Sequence, residues 1–369
     1  MAQTKMTTLI GSPMDDLDTP ALWVDLDQLE RNITLLSNFF QKADVNWRPH
    51  IKGIKIPAIA HKAAHAGAIG VTCAKVSEAE VMAWAGITDI LIANQVVARH
   101  KIRRLANLCR QAEVKVAVDH ATNVAQLGQI ASEYGTEIGI LVEINTGMNR
   151  AGTLPGQPTV ELSKLVNQTK GLRYRGLMAW EGHAVSIEDP QEKHDTIASS
   201  IEALHRTVEM CRTVDLPIEI ISGGGSGTYK ITTLLADITE VQAGGAIFCD
   251  ASYQKWGVDT QPSLFIRSLV TSRPDPQRVI IDAGFKALPA WAGRTPEAVN
   301  MPDFASFRPS AEHGTVTLSR PNTEIQIGQV FDFMVGYGDS TVFLHDTLYG
   351  VRNQRIETVW PIHGRGKIH

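Results

Sequence analysis

Four basic residues crowd the stretch RPHIKGIK, in which Arg48, His50, Lys52 and Lys55 stand at what otherwise reads as the end of a buried strand. A lysine amine turns nucleophilic when burial or neighbouring cations strip its proton, and it then forms a Schiff base with a carbonyl. Lys52 is the candidate for that role. Arg48, His50 and Lys55 are candidates for the neighbouring charge, with Lys55 past the strand as a supporting or solvated residue. Polar groups recur at the ends of the apolar runs that follow. They are Lys75 in VTCAK, Asn94 and Gln95 in ILIANQ, Asp119 and His120 in VAVDH, Asn145 in LVEIN, and Trp180 and Glu181 in GLMAWE. Any one of them taken alone reads as a helix cap or a surface residue. The habit shared along successive runs points to one site.

A second group is built from glycine. SGGGSGTY (Ser222–Tyr229) contains Gly224, Gly225, Ser226 and Gly227, and QAGGAIF adds Gly244 and Gly245. Glycines uncover backbone N–H groups and admit φ > 0, which shapes a concavity for an anion. A Schiff-base lysine together with a phosphate-binding loop suggests pyridoxal 5'-phosphate.

These residues need a frame that brings strand ends together. After the amphipathic run LDQLERNITLLSNFFQKA come eight strand candidates, VNWRPHIK, AIGVTCAK, DILIANQ, VKVAVDH, IGILVEIN, YRGLMAW, PIEIISGGG and ITEVQAG, mostly separated by helix-length segments. Such alternation argues for a parallel sheet covered by helices, and eight units fit a (β/α)8 TIM-type barrel, whose active site lies at the C-terminal strand ends and whose phosphate site follows strands seven and eight. An open doubly wound sheet is the alternative, but no GxGxxG follows the first strand. From about Pro262 short β-rich runs take over. The expected division is a barrel over 27–258 and a β domain over 1–26 and 259–369, with TPALWVDLD as a strand added to the latter.

Composition narrows the classes. The 369 residues carry a net charge of −4, so no basic field invites nucleic acid. The four cysteines show no CxxC spacing and read as reduced thiols. The start of the chain lacks a secretory h-region, and no apolar run reaches the ~18 residues of a membrane span. A soluble cytoplasmic protein is the expectation.

Taken in order, DTPALWVDLDQLERN, RPHIK, GVTCAKVSEAEVM, DILIANQVV, LVEINTGMNRAG, SGGGSGTY, TEVQAG, IIDAGFKAL and LHD run through nearly the whole chain. In these motifs the sequence resembles the fold-type III pyridoxal-phosphate enzymes, within the D-threonine aldolase and D-serine dehydratase group of the alanine-racemase-like superfamily. The resemblance implies Lys52 as the Schiff-base lysine and Arg150 near the cofactor ring. It implies that the two glycine loops hold the phosphate, with Ser222, Gly224, Gly225, Ser226, Gly227, Gly244 and Gly245 as the expected residues; His50, Lys75, Asn94 and Trp180, from the strand ends, are expected to line the cofactor as well. It further implies a head-to-tail homodimer in which one chain's β domain completes the other's site.

Two departures bear on the chemistry. Family members usually read RPHxKTHK or RPHxKAHK, whereas Gly53 and Ile54 follow Lys52 here. The family also reads SHxC or SHxD before LHD, a pair that binds a divalent metal serving the substrate's β-hydroxyl. This chain reads GYGDSTVFLHD, with Tyr337 at the histidine position and Asp339 retained, and Glu181 stands where the aldolases often have histidine. Tyrosine is a poor ligand for Zn²⁺ or Mg²⁺. Asp339 is therefore the one candidate metal ligand left, and Tyr337 becomes a candidate proton carrier, with Glu181 beside it. The expected reaction is retro-aldol cleavage of a small β-hydroxy D-amino acid. Dehydration of the D-serine or 3-hydroxyaspartate type and racemisation stay open. A non-catalytic pyridoxal-phosphate carrier is the alternative of another class, and the second domain argues against it. A dehydrogenase lacks its nucleotide fingerprint.

Overall fold

Strands covered by helices on one side and packed on each other on the other side are apolar along their whole length. The central runs follow this rule with one charged exception each: Val114–Val118 and Ile140–Ile144 are buried at every position and apolar except for Lys115 and Glu143. The computed structural model describes residues 9–235 and 237–369. The chain divides into two compact units. One holds the residues up to Leu36 together with Gly53–Ala58 and Gly245–Gly366. The other holds Ser37–Lys52, Ile59–Gly244 and Lys367–His369.

The first strand, β1 (Ala21–Asp25), belongs to a β-rich sheet described below, and the helix Leu26–Ala43 follows it. The α/β unit then contributes eight parallel strands: β2 (Asn46–Trp47), β3 (Val71–Cys73), β4 (Asp89–Gln95), β5 (Glu113–Val118), β6 (Ile138–Ile144), β7 (Leu172–Ala179), β8 (Ile220–Gly223) and β9 (Glu240–Val241). Their order in the sheet is β2-β9-β8-β7-β6-β5-β4-β3. Leu91, Ala117, Leu141, Met178 and Ile220, one from each of five adjacent strands, form a buried cluster. At the N-terminal strand ends the filling is ionic. Arg48 bridges Glu240 at 2.9 Å and Asp89, and Lys115 reaches Asp89 at 2.7 Å.

One detail differs from the sequence reading. The expected strand VNWRPHIK is regular only over Asn46–Trp47, because Pro49 has no N–H to donate and Ile51–Gly53 coils into a 3-10 turn. The backbone nevertheless stays beside β3: Ile69 N–H donates to Trp47 O and Thr72 N–H to Pro49 O, both at 2.9 Å, and His50 bridges Thr72. The connection from β8 to β9 carries only the short helix Tyr229–Thr232.

The second sheet comprises β1 and eight later strands: β10 (Leu264–Asp275), β11 (Arg278–Ile281), β12 (Glu297–Val299), β13 (Phe304–Pro309), β14 (Gly314–Leu318), β15 (Val330–Met334), β16 (Thr347–Arg352) and β17 (Arg355–Pro361). β1 lies antiparallel to β10 and parallel to β16, so the early run does join this sheet. A single short α-helix, Gly338–Thr341, lies between β10 and β17 among the described residues, and it carries the Tyr337 and Asp339 region.

Candidate active site

The strand ends of the α/β unit hold most of the residues expected from sequence. Lys52 is exposed on the turn that continues β2, and its backbone N–H donates to His50 Nδ1 at 3.3 Å. Arg48 faces the other way. It is 1% exposed and its charge is met by Glu240 and Asp89, so it supplies no cation to Lys52. Lys55 is likewise not solvated: it is buried, with φ at +59°, and its carbonyl accepts from Gly364 N–H at 2.9 Å. Lys75 caps the helix Val76–Trp84, and Asn94 donates to Ala74 O at 3.1 Å, which ties the ends of β3 and β4 together. Arg150 is more than half exposed and sits 3.9 Å from Glu143, whose carboxyl is pushed up by burial.

The glycine loop after β8 is held from within. Gly224 adopts φ +66° and donates to Glu181 Oε2 at 3.3 Å, while Glu181 Oε1 accepts from Thr232 Oγ1 at 2.5 Å. Gly225 N–H donates to Thr228 Oγ1 at 3.1 Å. A Cβ on Gly225 would lie 2.5 Å from the Trp180 indole, so the ring packs directly against the loop. Ser222 Oγ accepts from Gln242 at 2.9 Å. Two of the expected phosphate donors, Gly224 and Gly225, are thus spent on the loop itself. Gly227 and Gly244 N–H have no hydrogen-bond acceptor among the described residues, and a Cβ at Gly244 would overlap the His50 carbonyl. Open N–H groups in a braced glycine loop fit a phosphate such as that of pyridoxal phosphate. Glu181 is fully buried and committed to this brace.

The β-rich unit assembles a second group around Tyr337. Its phenol donates to Asp339 Oδ2 at 2.9 Å, and burial together with the Asp339 charge pushes the phenol well above its ordinary range. Gly53, the residue after Lys52, belongs to the same unit. A Cβ there would overlap Asp339 Oδ1 and come within 3.2 Å of its Cγ. The missing side chain at Gly53 is therefore the space that Asp339 fills. Below lies Asp250, 1% exposed, which accepts N–H bonds from Ser252 and Tyr253 at 3.0 Å and from Gly338 at 2.6 Å. Burial raises its carboxyl to about 7. The rings of Tyr253, Trp256 and Trp291 lie 6.0, 6.0 and 6.1 Å from that of Tyr337. Sequence reasoning missed Asp250, Trp256 and Arg294. Only Asp250 left a signal, as a helix cap ahead of Ser252.

A divalent metal does not fit at Asp339. One oxygen of its carboxylate is already taken by a neutral phenol, and no group of three or more histidine, cysteine or acidic side chains gathers around it among the described residues. Among the described residues His205, Glu209 and Asp237 do come together. Arg212 already pairs with Glu209 at 2.6 Å and Asp237 at 2.9 Å, and the group lies where the chain enters β9, at the opposite end from the strand-end residues. In the β-rich unit, His345 of LHD bonds Ala287 O at 2.8 Å and acts in packing.

Known proteins resemble the chain over almost its whole length. Residues 24–252 match the alanine racemase N-terminal domain, and residues 263–351 match a putative serine dehydratase domain. The chain is 32% identical to a D-threonine aldolase of an Arthrobacter species, covering 96% of this chain and 95% of that one. It is 34% identical to a 3-hydroxy-D-aspartate aldolase of Paracoccus denitrificans, covering 97% and 95%. The crystal structure of D-threonine aldolase from Filomicrobium marinum superposes with a TM-score of 0.94 at 35% identity, covering 98% of this chain and 99% of that one. With both domain families matched in order and relatives aligned almost end to end, the chain belongs to the fold-type III pyridoxal-phosphate enzymes of the alanine racemase and D-threonine aldolase family.

Proposed function

We propose that this protein is a pyridoxal-phosphate-dependent lyase that cleaves a small β-hydroxy D-amino acid by a retro-aldol reaction, without the divalent metal. The observation that carries the metal-free part is the fit of Asp339 into the space at Gly53, next in the chain to Lys52, with the Tyr337 phenol bonded to its other oxygen. When bound, pyridoxal phosphate supplies the carbonyl for the lysine and a sink for the electron pair left at Cα.

In this reading the parallel sheet closes into a (β/α)8 barrel through the bonds from Ile69 and Thr72 to Trp47 and Pro49. The barrel is assigned to 27–258 and the β domain to 1–26 and 259–369. Lys52 holds the cofactor, His50 orders the lysine's backbone, and Lys75, Asn94, Arg150 and Trp180 line the cofactor. Ser222, Ser226 and the N–H groups of Gly227, Gly244 and Gly245 receive the phosphate. Glu181 acts by holding Gly224 and Gly225 in their conformation, a positioning role.

Proton handling falls to Tyr337 and Asp339. A phenol whose acidity is suppressed by burial is not itself a base. It takes the β-hydroxyl proton as it passes its own to Asp339 Oδ2, and the β-carbon becomes an aldehyde as the Cα–Cβ bond breaks. The same pair run with Asp339 protonated would expel the hydroxyl as water, so dehydration is the second outcome to assay.

Product analysis on a panel of β-hydroxy D-amino acids, with and without EDTA, tests the reading. Glycine plus aldehyde, unchanged by EDTA and lost about 100-fold or more in Tyr337→Phe, is the expected result. A stoichiometric metal needed for turnover, or an unaffected Tyr337→Phe enzyme, would overturn the metal-free relay. Among the described residues no helix is long and apolar enough to cross a membrane. The reading includes a homodimer, which light scattering tests, and a cytoplasmic setting.

A further inference from the structure

Arg294 stands in an unusual place. Its guanidinium carbon lies 4.6 Å from the centre of the Tyr337 ring, 4.9 Å from Trp291 and 5.3 Å from Trp256. Three rings hold one cation, and no carboxylate among the described residues forms an ion pair with it. Three other arginines of this unit show the contrast. Arg267 meets Asp15 and Asp332, Arg320 meets Asp303, and Arg352 meets Asp27, Glu30 and Glu357.

The backbone that presents Arg294 is fixed. Trp291 N–H donates to Arg294 O at 3.2 Å and Arg294 N–H returns to Trp291 O at 2.9 Å. A Cβ on Gly336, the residue before Tyr337, would lie 2.5 Å from Arg294 O, so the two segments are in backbone contact. The side chain is only half-buried. Ring faces attract the flat cation but satisfy none of its N–H groups, which lie in its plane and form a fork that matches a carboxylate. An aromatic cup also restricts the side chain before any ligand arrives, which lowers the ordering cost of binding.

We propose that Arg294 is a specificity-determining residue that receives the side-chain carboxylate of a dicarboxylic β-hydroxy amino acid, of the 3-hydroxyaspartate class. The proposal rests on the reading that substrate is processed at Tyr337. Arg294 touches the face of that ring, whereas Asp339 takes its hydroxyl. A substrate whose β-hydroxyl meets the phenol would then extend its β-substituent along the ring toward the guanidinium.

The test uses the cofactor-loaded protein and two amino acids without a β-hydroxyl, D-aspartate and D-alanine, whose binding is read from the cofactor's absorption spectrum. D-aspartate should bind the native protein more tightly than D-alanine. Arg294→Gln should erase that preference by about 10- to 150-fold, and Arg294→Lys should restore part of it, because it keeps the charge and loses the fork. In turnover, the ratio of kcat/KM for 3-hydroxy-D-aspartate over D-threonine should fall by the same factor in Arg294→Gln. Equal losses for D-aspartate and D-alanine, or no native preference between them, would overturn the assignment. Should neither β-hydroxy substrate be cleaved by the native protein, the lyase reading fails, while the D-aspartate arm still decides the role of Arg294.

Discussion

Replacing Gly53 with alanine adds one methyl group at the point where Asp339 is seated. The new Cβ would overlap Oδ1 and stand 3.2 Å from Cγ, inside the 3.5–4.0 Å at which carbon atoms settle. Gly53 is not among the glycines at positive φ, so alanine suits the backbone, and its lower freedom in the unfolded chain favours folding by about 0.4–1 kcal/mol. The strain therefore goes to the Asp339 carboxylate, the end of a side chain that can swing away. What it leaves behind is the 2.9 Å bond from Tyr337. A hydrogen bond to a charged group is worth about 1.5–3 kcal/mol, which predicts a loss of about 10- to 150-fold in kcat/KM. The melting temperature and the cofactor absorption band should stay close to native. Kinetics of Gly53→Ala, Asp339→Ala and the double variant complete the assay. With Asp339 truncated the new methyl has nothing to strike, so Gly53→Ala should then add less than about 0.5 kcal/mol. Full activity in the single variant, or losses that simply add, would refute the reasoning.

Glu181→Gln keeps the size of the brace but removes its charge. Cofactor affinity, measured by spectroscopic titration, should fall about 10-fold or more, with turnover at saturating cofactor nearly kept. Unchanged affinity with turnover lost about 100-fold would instead make Glu181 a proton-transfer residue. Arg48→Met leaves Glu240 buried without its cation and should cost about 3 kcal/mol in denaturant unfolding, since Lys115 still covers Asp89; a loss under about 1 kcal/mol would show that the ion group is not under tension. Burial holds the Asp250 carboxyl at about 7 against an ordinary 3.8, so the folded protein binds that proton more tightly than the unfolded chain. The stabilising share of this proton is full below about pH 4 and is lost as pH rises to about 7, whereas its N–H bonds to Gly338, Ser252 and Tyr253 are strongest when it is ionised. The value of kcat/KM should accordingly fall as pH drops through about 7, and a flat profile between pH 5.5 and 8 would exclude Asp250 as support for the Tyr337 segment.

The sequence shows some of this directly and hides the rest for physical reasons. Strands buried on both faces announce themselves as apolar runs, and polar residues at their ends mark the site. The strand-end positions of Asn94, Trp180 and Glu181, and that of Lys52 on the turn after β2, are legible in that way. Charge partners were not. Arg48 looks like an active-site cation until Glu240, 192 positions away, is found to hold it. Lys55 looks solvated until its left-handed turn takes it under Gly364. Arg294 stands out little in the sequence, because two of the three rings in its cup, Trp256 and Tyr337, come from other segments. The two departures from the family motifs look independent along the chain, one at Gly53 and one at Tyr337. In space they meet on one carboxylate. A metal would hold its aspartate by coordination; in this chain Asp339 has the phenol on Oδ2 and the space at Gly53 for Oδ1. Had histidine replaced Tyr337 with Gly53 kept, the carboxylate would still be seated. Had a side chain replaced Gly53 with Tyr337 kept, it would not. The glycine is thus the stricter requirement of the two, and the sharper mark of a Tyr–Asp pair in a sequence of this family.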